Sequence, residues 1–174
     1  VAKKGFEKLT IKMITDAAGV IRPTFYNYFQ DKYEVMEWLL WEDVFKEVSE
    51  LMEQERGMES LKLLFRKFEE DKTYYEKVFE VTGQNSFEEM LYGQIFNMEE
   101  ILVKHHPLKH LSNMPHVDEK VFLEFHAISL VNGLKYWLIR ESKNISAGDA
   151  MEFYQYMMSH SILDLLDIEN TEKK

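Results

Sequence analysis

The sequence predicts an all-α protein in two parts, and three observations carry that prediction. Helix-forming side chains dominate: 18 Leu, 23 Glu, 10 Met and 17 Lys stand against 11 Val, 10 Ile and 6 Thr. Only seven glycines and three prolines punctuate 174 residues, so the segments between breaks are long. Apolar residues recur at intervals of three and four and do not alternate.

Residues 1–9 read as a helix tail that stops at Gly5, followed by a short linker. Thr10 is a good N-cap for a short helix carrying Ile11, Ile14, Ala17 and Ala18, and Gly19 ends it. After the turn at Val20 and Ile21, Arg22-Pro23-Thr24 opens a second short helix with Phe25, Tyr26, Tyr28 and Phe29. Proline is tolerated there because the first turn has no partner for its missing N–H. Asp31 caps a third, long helix over 32–54, with a stripe of Val35, Trp38, Leu39, Val44 (or Trp41), Phe45, Val48, Leu51 and Met52. Gly57 is its expected stop. Helical periodicity returns at 59–70 and 72–81, and Ser86 caps a helix reaching His105. Pro107 and Pro115 bracket an irregular loop. Asp118 caps a helix over 118–142, Asp149 caps the last over 149–167, and 169–174 is a polar tail. The expected division is 1–45 and 46–174, with the long helix shared.

Composition excludes several classes of function. Without cysteine there is no disulfide scaffold, iron–sulfur site or thiol nucleophile. No apolar run approaches the roughly 18 residues of a membrane span, so no membrane partner is expected. The chain shows no phosphate-binding loop, nucleophile elbow or zincin motif, and an enzyme is not expected. The net charge of −10 looks unsuited to nucleic acid, but it is segregated. Residues 1–32 hold six basic and three acidic side chains, and 33–174 hold 15 basic and 28 acidic. A basic head on an acidic body is suited to phosphate at one end only.

The informative stretch is 10–33, where two short helices joined by a glycine-containing turn make a helix-turn-helix. In that unit the second helix enters the major groove and the first crosses the backbone. The residue types suit those tasks. Thr10 offers a hydroxyl at a helix N-terminus, and Lys12 and Lys32 offer point charges to phosphate. Arg22 can fork onto guanine, Thr24 can bond a base or phosphate, and Asn27 can read adenine. Tyr26 and Tyr28 bring phenols to the backbone, while Phe25 and Phe29 pack inward with Ile14 and Ala18.

The string Thr10, Ile14, Ala18-Gly19-Val20, Thr24-Phe25-Tyr26, Tyr28-Phe29 and Lys32 resembles the tetracycline-repressor (TetR) family of bacterial regulators. Segments DKYEVMEWLLWE, TGQNSF and GLKYW are similar to its dihydroxyacetone-kinase (DhaS-like) subgroup. The resemblance implies DNA contacts from Thr10, Arg22, Pro23, Thr24, Tyr26, Asn27, Tyr28 and Lys32. It makes 1–4 the end of an incomplete N-terminal helix. It implies a cytoplasmic, effector-responsive homodimeric repressor on a double-stranded DNA operator, with no cofactor. Relatives that act as co-activators through protein contacts supply the alternative. Ile21 departs from the family pattern, where a small capping residue is common.

In the body, Trp38, Trp41, Phe65, Phe68, Tyr75, Phe79, Phe87, Tyr92 and Phe96, with His126, are the candidates for lining a small-molecule effector cavity. Each alone is ordinary core material. Phe122, Phe125, Ser129, Tyr136 and Trp137 recur at helical spacing, as do Met151, Tyr154, Met158, Ile162 and Leu165. Two such stripes suit a four-helix dimer interface. His105, His106, His110 and His116 raise a metal-responsive alternative, but Pro107 breaks their helical spacing and no metal ligands are assigned. The acidic runs at 69–71, 88–89 and 99–100 read as solvated helix faces.

Overall fold

The computed structural model describes residues 5–83, 85–106, 108 and 116–166, and among these there is no strand. The expectations for 1–4, Pro107, His110, Pro115 and 169–174 fall outside the described residues.

The head consists of α1 (Ile11–Ala18), α2 (Arg22–Tyr26) and the start of α3 (Lys32–Leu40). Thr10 caps α1 by accepting from the Met13 N–H at 3.3 Å. Gly19 closes α1 in the left-handed region, at φ 67°, which lets the chain turn sharply into α2. As expected, Ile21 gives α2 no side-chain cap. Asp31 accepts from the N–H groups of Tyr33 and Glu34 and starts α3. Phe25 is the buried anchor of α2, 5.7 Å from the Phe29 ring, which meets Trp38 edge-on.

The long helix is not uniform. α3 runs into a wider turn at Trp41–Phe45, where the Lys46 N–H reaches the Trp41 carbonyl five residues back, and then into α4 (Lys46–Glu53). Its buried residues are Met36, Leu40, Val44, Phe45, Val48 and Met52. This corrects the expected stripe at its N-terminal end, because Trp38 and Trp41 lie on the surface. Gly57 does not stop this helix either. Glu55, at φ 60°, makes the break, and Gly57 begins α5 (Gly57–Glu70). Buried Ser60 ties the two together by donating to the Val48 carbonyl at 2.9 Å.

α6 (Lys72–Val78), α7 (Phe87–His105), α8 (Glu119–Tyr136) and α9 (Ala147–Ser159) complete the body. Ser86 and Asp118 cap α7 and α8 as the sequence suggests. α8 is prolonged by a second wide turn at Trp137–Glu141. Ser146, not Asp149, caps α9, and the helix stops at Ser159, ahead of a short turn at Ile162–Leu165. α7 packs on α8, α5 on α9 and α4 on α5. Their shared core is aromatic: Phe68, Tyr75, Phe79 and Phe87 form one cluster, with the Phe68 and Tyr75 rings 4.3 Å apart. No helix among the described residues is long and apolar enough to cross a membrane.

Candidate functional site

The head presents a compact polar surface. On α2 and at its C-cap, Arg22, Pro23, Tyr26 and Asn27 are exposed and Thr24 is half-buried. Tyr28, just beyond the helix, is 74% exposed. The Arg22 guanidinium reaches the Tyr26 hydroxyl at 3.3 Å and lies 5.9 Å from its ring, so the two side chains form one exposed pair. A large side chain at such exposure gains nothing from the core, and its residue type needs another explanation. Thr10 and Lys12 are exposed on α1, and Lys12 is paired with Asp16 at 2.6 Å. This exposed pair is easily exchanged for a phosphate.

Lys32 is placed differently from the others. Its ammonium donates to the carbonyls of Phe6 and Glu7, both at 3.1 Å, and sits over the Phe6 and Tyr33 rings. In this structure it fastens the segment before α1 to the start of α3.

Among the described residues, the body has two larger apolar hollows. One, of about 310 Å³, lies between α8 and α9 and includes Phe65, Gly133, Trp137 and Tyr154 in its wall. Gly133 allows this approach, since a Cβ there would stand 3.1 Å from the Tyr154 ring. The other, of about 440 Å³, is walled by α4, α5, α7, α8 and α9 and is lined by five polar side chains from three helices: Glu99, His126, Tyr154, Gln155 and Ser159. His126 Nδ1 donates to Glu99 Oε1 at 2.6 Å, and the Tyr154 hydroxyl is 3.5 Å from His126 Nε2. Glu99 Oε2 is buried without a partner. Burial pushes the Glu99 carboxyl above its ordinary range, with His126 pulling the other way. The hydrogen bond to Glu99 pushes the His126 imidazole up, against burial. Burial also pushes the Tyr154 phenol up.

The structure therefore rearranges the expected body sites. Of the ten candidate effector residues, His126 lines the larger hollow, Phe65 the smaller, and Tyr92 a shallow one beside Glu88. Phe68, Tyr75, Phe79 and Phe87 fill core, Phe96 packs half-buried against it, and Trp38 and Trp41 face out. Among the interface candidates, Phe122, Phe125, Tyr136, Met158, Ile162 and Leu165 are exposed and Ser129 is half-buried. Trp137, Met151 and Tyr154 are core. Beside the exposed ones lie Val121, Ile128, Ile139, Phe153, Tyr156 and Met157, which widen the apolar face of α8 and α9.

Glu99 corrects the reading of 99–100 as solvated: it is 3% exposed, while Glu100 is exposed. Its position is readable after the fact, four residues beyond Ile95 and one beyond Met98, on the buried face of α7. His105 approaches Glu53 at 3.5 Å and His106 approaches Glu55 at 3.7 Å. Among the described residues no cluster of three or more His, Asp or Glu is arranged to hold a metal.

A helix-turn-helix head carried on a hollow helical body defines a class, that of transcriptional regulators. Residues 1–38 match the family described as bacterial regulatory proteins, tetR family, and residues 55–160 match one described as transcriptional regulator C-terminal region. The chain belongs to the TetR family and is a transcriptional regulator of that family. Over 74 residues it is 28% identical to the HTH-type dhaKLM operon transcriptional activator DhaS of Lactococcus lactis subsp. lactis (strain IL1403). That match takes in 42% of this chain and 40% of the relative, so the chain spans less than half of that protein's length. The solved structure of dihydroxyacetone kinase operon activator DhaS shares the fold, with a TM-score of 0.59 at 22% identity over 97% of this chain and 89% of that one.

Proposed function

We propose that the protein is a homodimeric regulator in the bacterial cytoplasm. It would bind a double-stranded DNA operator through 10–32 and release it when a small-molecule effector occupies the body. The observation that carries this is the exposed set Arg22, Tyr26, Asn27 and Tyr28 on and beside α2, which has no packing task. Retention of these side chains also favours direct DNA binding over a co-activator that works through protein contacts alone. The apolar face of α8 and α9, with Phe125 72% and Phe153 58% exposed, is the surface a second copy would cover. With two heads related by a two-fold axis, half-sites fall about one helical turn apart or a multiple of it. The helix from Lys32 to Glu53 starts at the recognition element and ends beside the larger hollow, where Met52 lines the wall. An effector that binds better in one arrangement of the heads shifts the population towards it.

The test is a gel-shift titration on duplexes selected by the protein from a random library. Arg22→Ala with Tyr28→Ala weakens binding by roughly tenfold or more, and loss of the one charge lowers the salt slope by about one. Unchanged affinity refutes the assignment.

Repression by operator occupancy is the sign of regulation that this head supports most simply. Activation is the second reading, favoured by the names of the two relatives. A reporter behind the selected operator separates them: deleting the regulator raises expression under the first reading and lowers it under the second.

A further inference from the structure

The larger body hollow contains a feature that an apolar pocket does not need. Glu99 projects from α7 among apolar neighbours and has only one of its two carboxyl oxygens satisfied. Leaving a buried acceptor unpaired is costly, and more so when it carries charge. A packed core would dispense with such a group, and a polar network would satisfy it. Here the remaining oxygen belongs to a residue that lines a cavity of about 440 Å³, within the range of small-molecule sites.

The surroundings specify what would complete it. His126 Nδ1 already serves Oε1, and Tyr154 is turned towards His126, so neither is free for Oε2. The rest of the wall is mainly aliphatic or thioether, with Met52, Met58, Met98, Met158, Leu102 and Leu130; of its two other polar side chains, the Gln155 amide lies 3.2 Å from the Met58 sulfur and the Ser159 hydroxyl donates to the Tyr156 carbonyl. Methionine is unbranched and polarizable, and such a wall yields to different apolar shapes and can move aside to uncover a buried oxygen. The carboxyl is the one acidic group in this wall, and a ligand carboxylate would be repelled by it. A hydroxyl would fill the hydrogen bond, whereas an N–H of a cation would also neutralise the buried charge.

We infer that this cavity binds an amphipathic organic amine, its protonated nitrogen donating to Glu99 Oε2 and its apolar body lying on the methionine wall. This rests on the effector reading of the same cavity and gives that effector a chemical class.

A matched set of probes tests it by calorimetry on the intact protein: naphthalenemethylamine, naphthalenemethanol and naphthoate. The amine is expected to bind roughly tenfold tighter than the alcohol, with no detectable binding of the carboxylate. Glu99→Gln keeps the shape and removes the charge. It should bring the amine to within about twofold of the alcohol. Equal binding of all three, no binding of the amine, or an amine preference that survives Glu99→Gln overturns the inference. The comparison among probes on the unaltered protein holds even if the variant misfolds. Gel shifts with and without the amine keep the two readings apart. An amine that binds through Glu99 but leaves DNA affinity unchanged supports the ligand class and removes the effector role. Loss of all probe preference beside intact DNA binding removes the ligand class and leaves the DNA-binding reading standing.

Discussion

Replacing Lys32 by methionine separates two roles that the sequence cannot tell apart. As a phosphate contact, the ammonium would be free and its loss would leave stability untouched. In the structure it makes two hydrogen bonds to the Phe6 and Glu7 carbonyls and lies 4.8 Å and 5.4 Å from the Phe6 and Tyr33 ring centres. Bonds from a charged donor contribute about 1.5–3 kcal/mol when shielded, and partial exposure reduces each here to about 1 kcal/mol. The ring contacts add about 0.5 kcal/mol at an exposed site. Lys32→Met keeps the apolar stem over Phe6, so the loss is the polar part, about 2 kcal/mol, or about 30-fold in the folding equilibrium. For a chain of this size that lowers the melting temperature by about 4–8 °C, measured by circular dichroism at 222 nm. Salt should affect the difference little, because the partners are carbonyl dipoles. A melting temperature within about 1 °C of the parent, together with a flatter salt dependence of DNA binding, refutes the fastening role and returns Lys32 to the phosphates.

Gly19→Ala puts a Cβ into open space, so its whole cost is the φ of 67°: about 1 kcal/mol, a fall of about 2–4 °C in melting temperature. Phe125→Glu with Phe153→Glu places charge on the exposed face of α8 and α9. Light scattering should show the mass falling from dimer to monomer with helicity retained, and a persistent dimer sinks the assignment of that face. The third prediction concerns pH. Glu99 and His126 both hold their protons more tightly in the folded chain than their ordinary values of 4.5 and 6.5 imply. A raised pKa contributes stability that is present below the ordinary value and lost as pH rises through the folded one. The melting temperature should therefore fall as pH rises above 4.5 and again above 6.5, and Glu99→Gln should flatten that fall. A profile identical in parent and variant counts against the pairing.

The head was readable from sequence because its signals are local. Thr10, Gly19 and Asp31 act on backbone groups within four residues of themselves, and no distant packing can overrule them. The body was harder to read for physical reasons. Counting back from Met52 at 3.6 residues per turn leads through Val48, Phe45 and Trp41 to Trp38, yet the wide turn at Trp41–Phe45 shifts the phase. Met36 and Leu40 go inside instead, and both tryptophans go out. α9 is apolar on two sides, so periodicity alone could not say that Met151 and Tyr154 face the core while Phe153 and Tyr156 face away. Two adjacent glutamates at 99–100 look like a solvated run, although only Glu100 lies on the wet side.

The wide turn in the connecting helix has a consequence of its own. Met36, Leu40, Val44, Val48 and Met52 are all buried and spaced four apart. On an unbroken α-helix, turning roughly 100° per residue, such a series drifts about 160° from first to last. Five residues wound at the wider pitch return roughly 90° of that, which brings the two ends of the series back towards one side. The bearing of the DNA-reading helix relative to the body is therefore set by the winding between Trp41 and Phe45. Rewinding those same five residues at the α-helical pitch would swing the head roughly 90° about the shaft. Every side chain of both parts would remain, and the protein would be aimed at nothing.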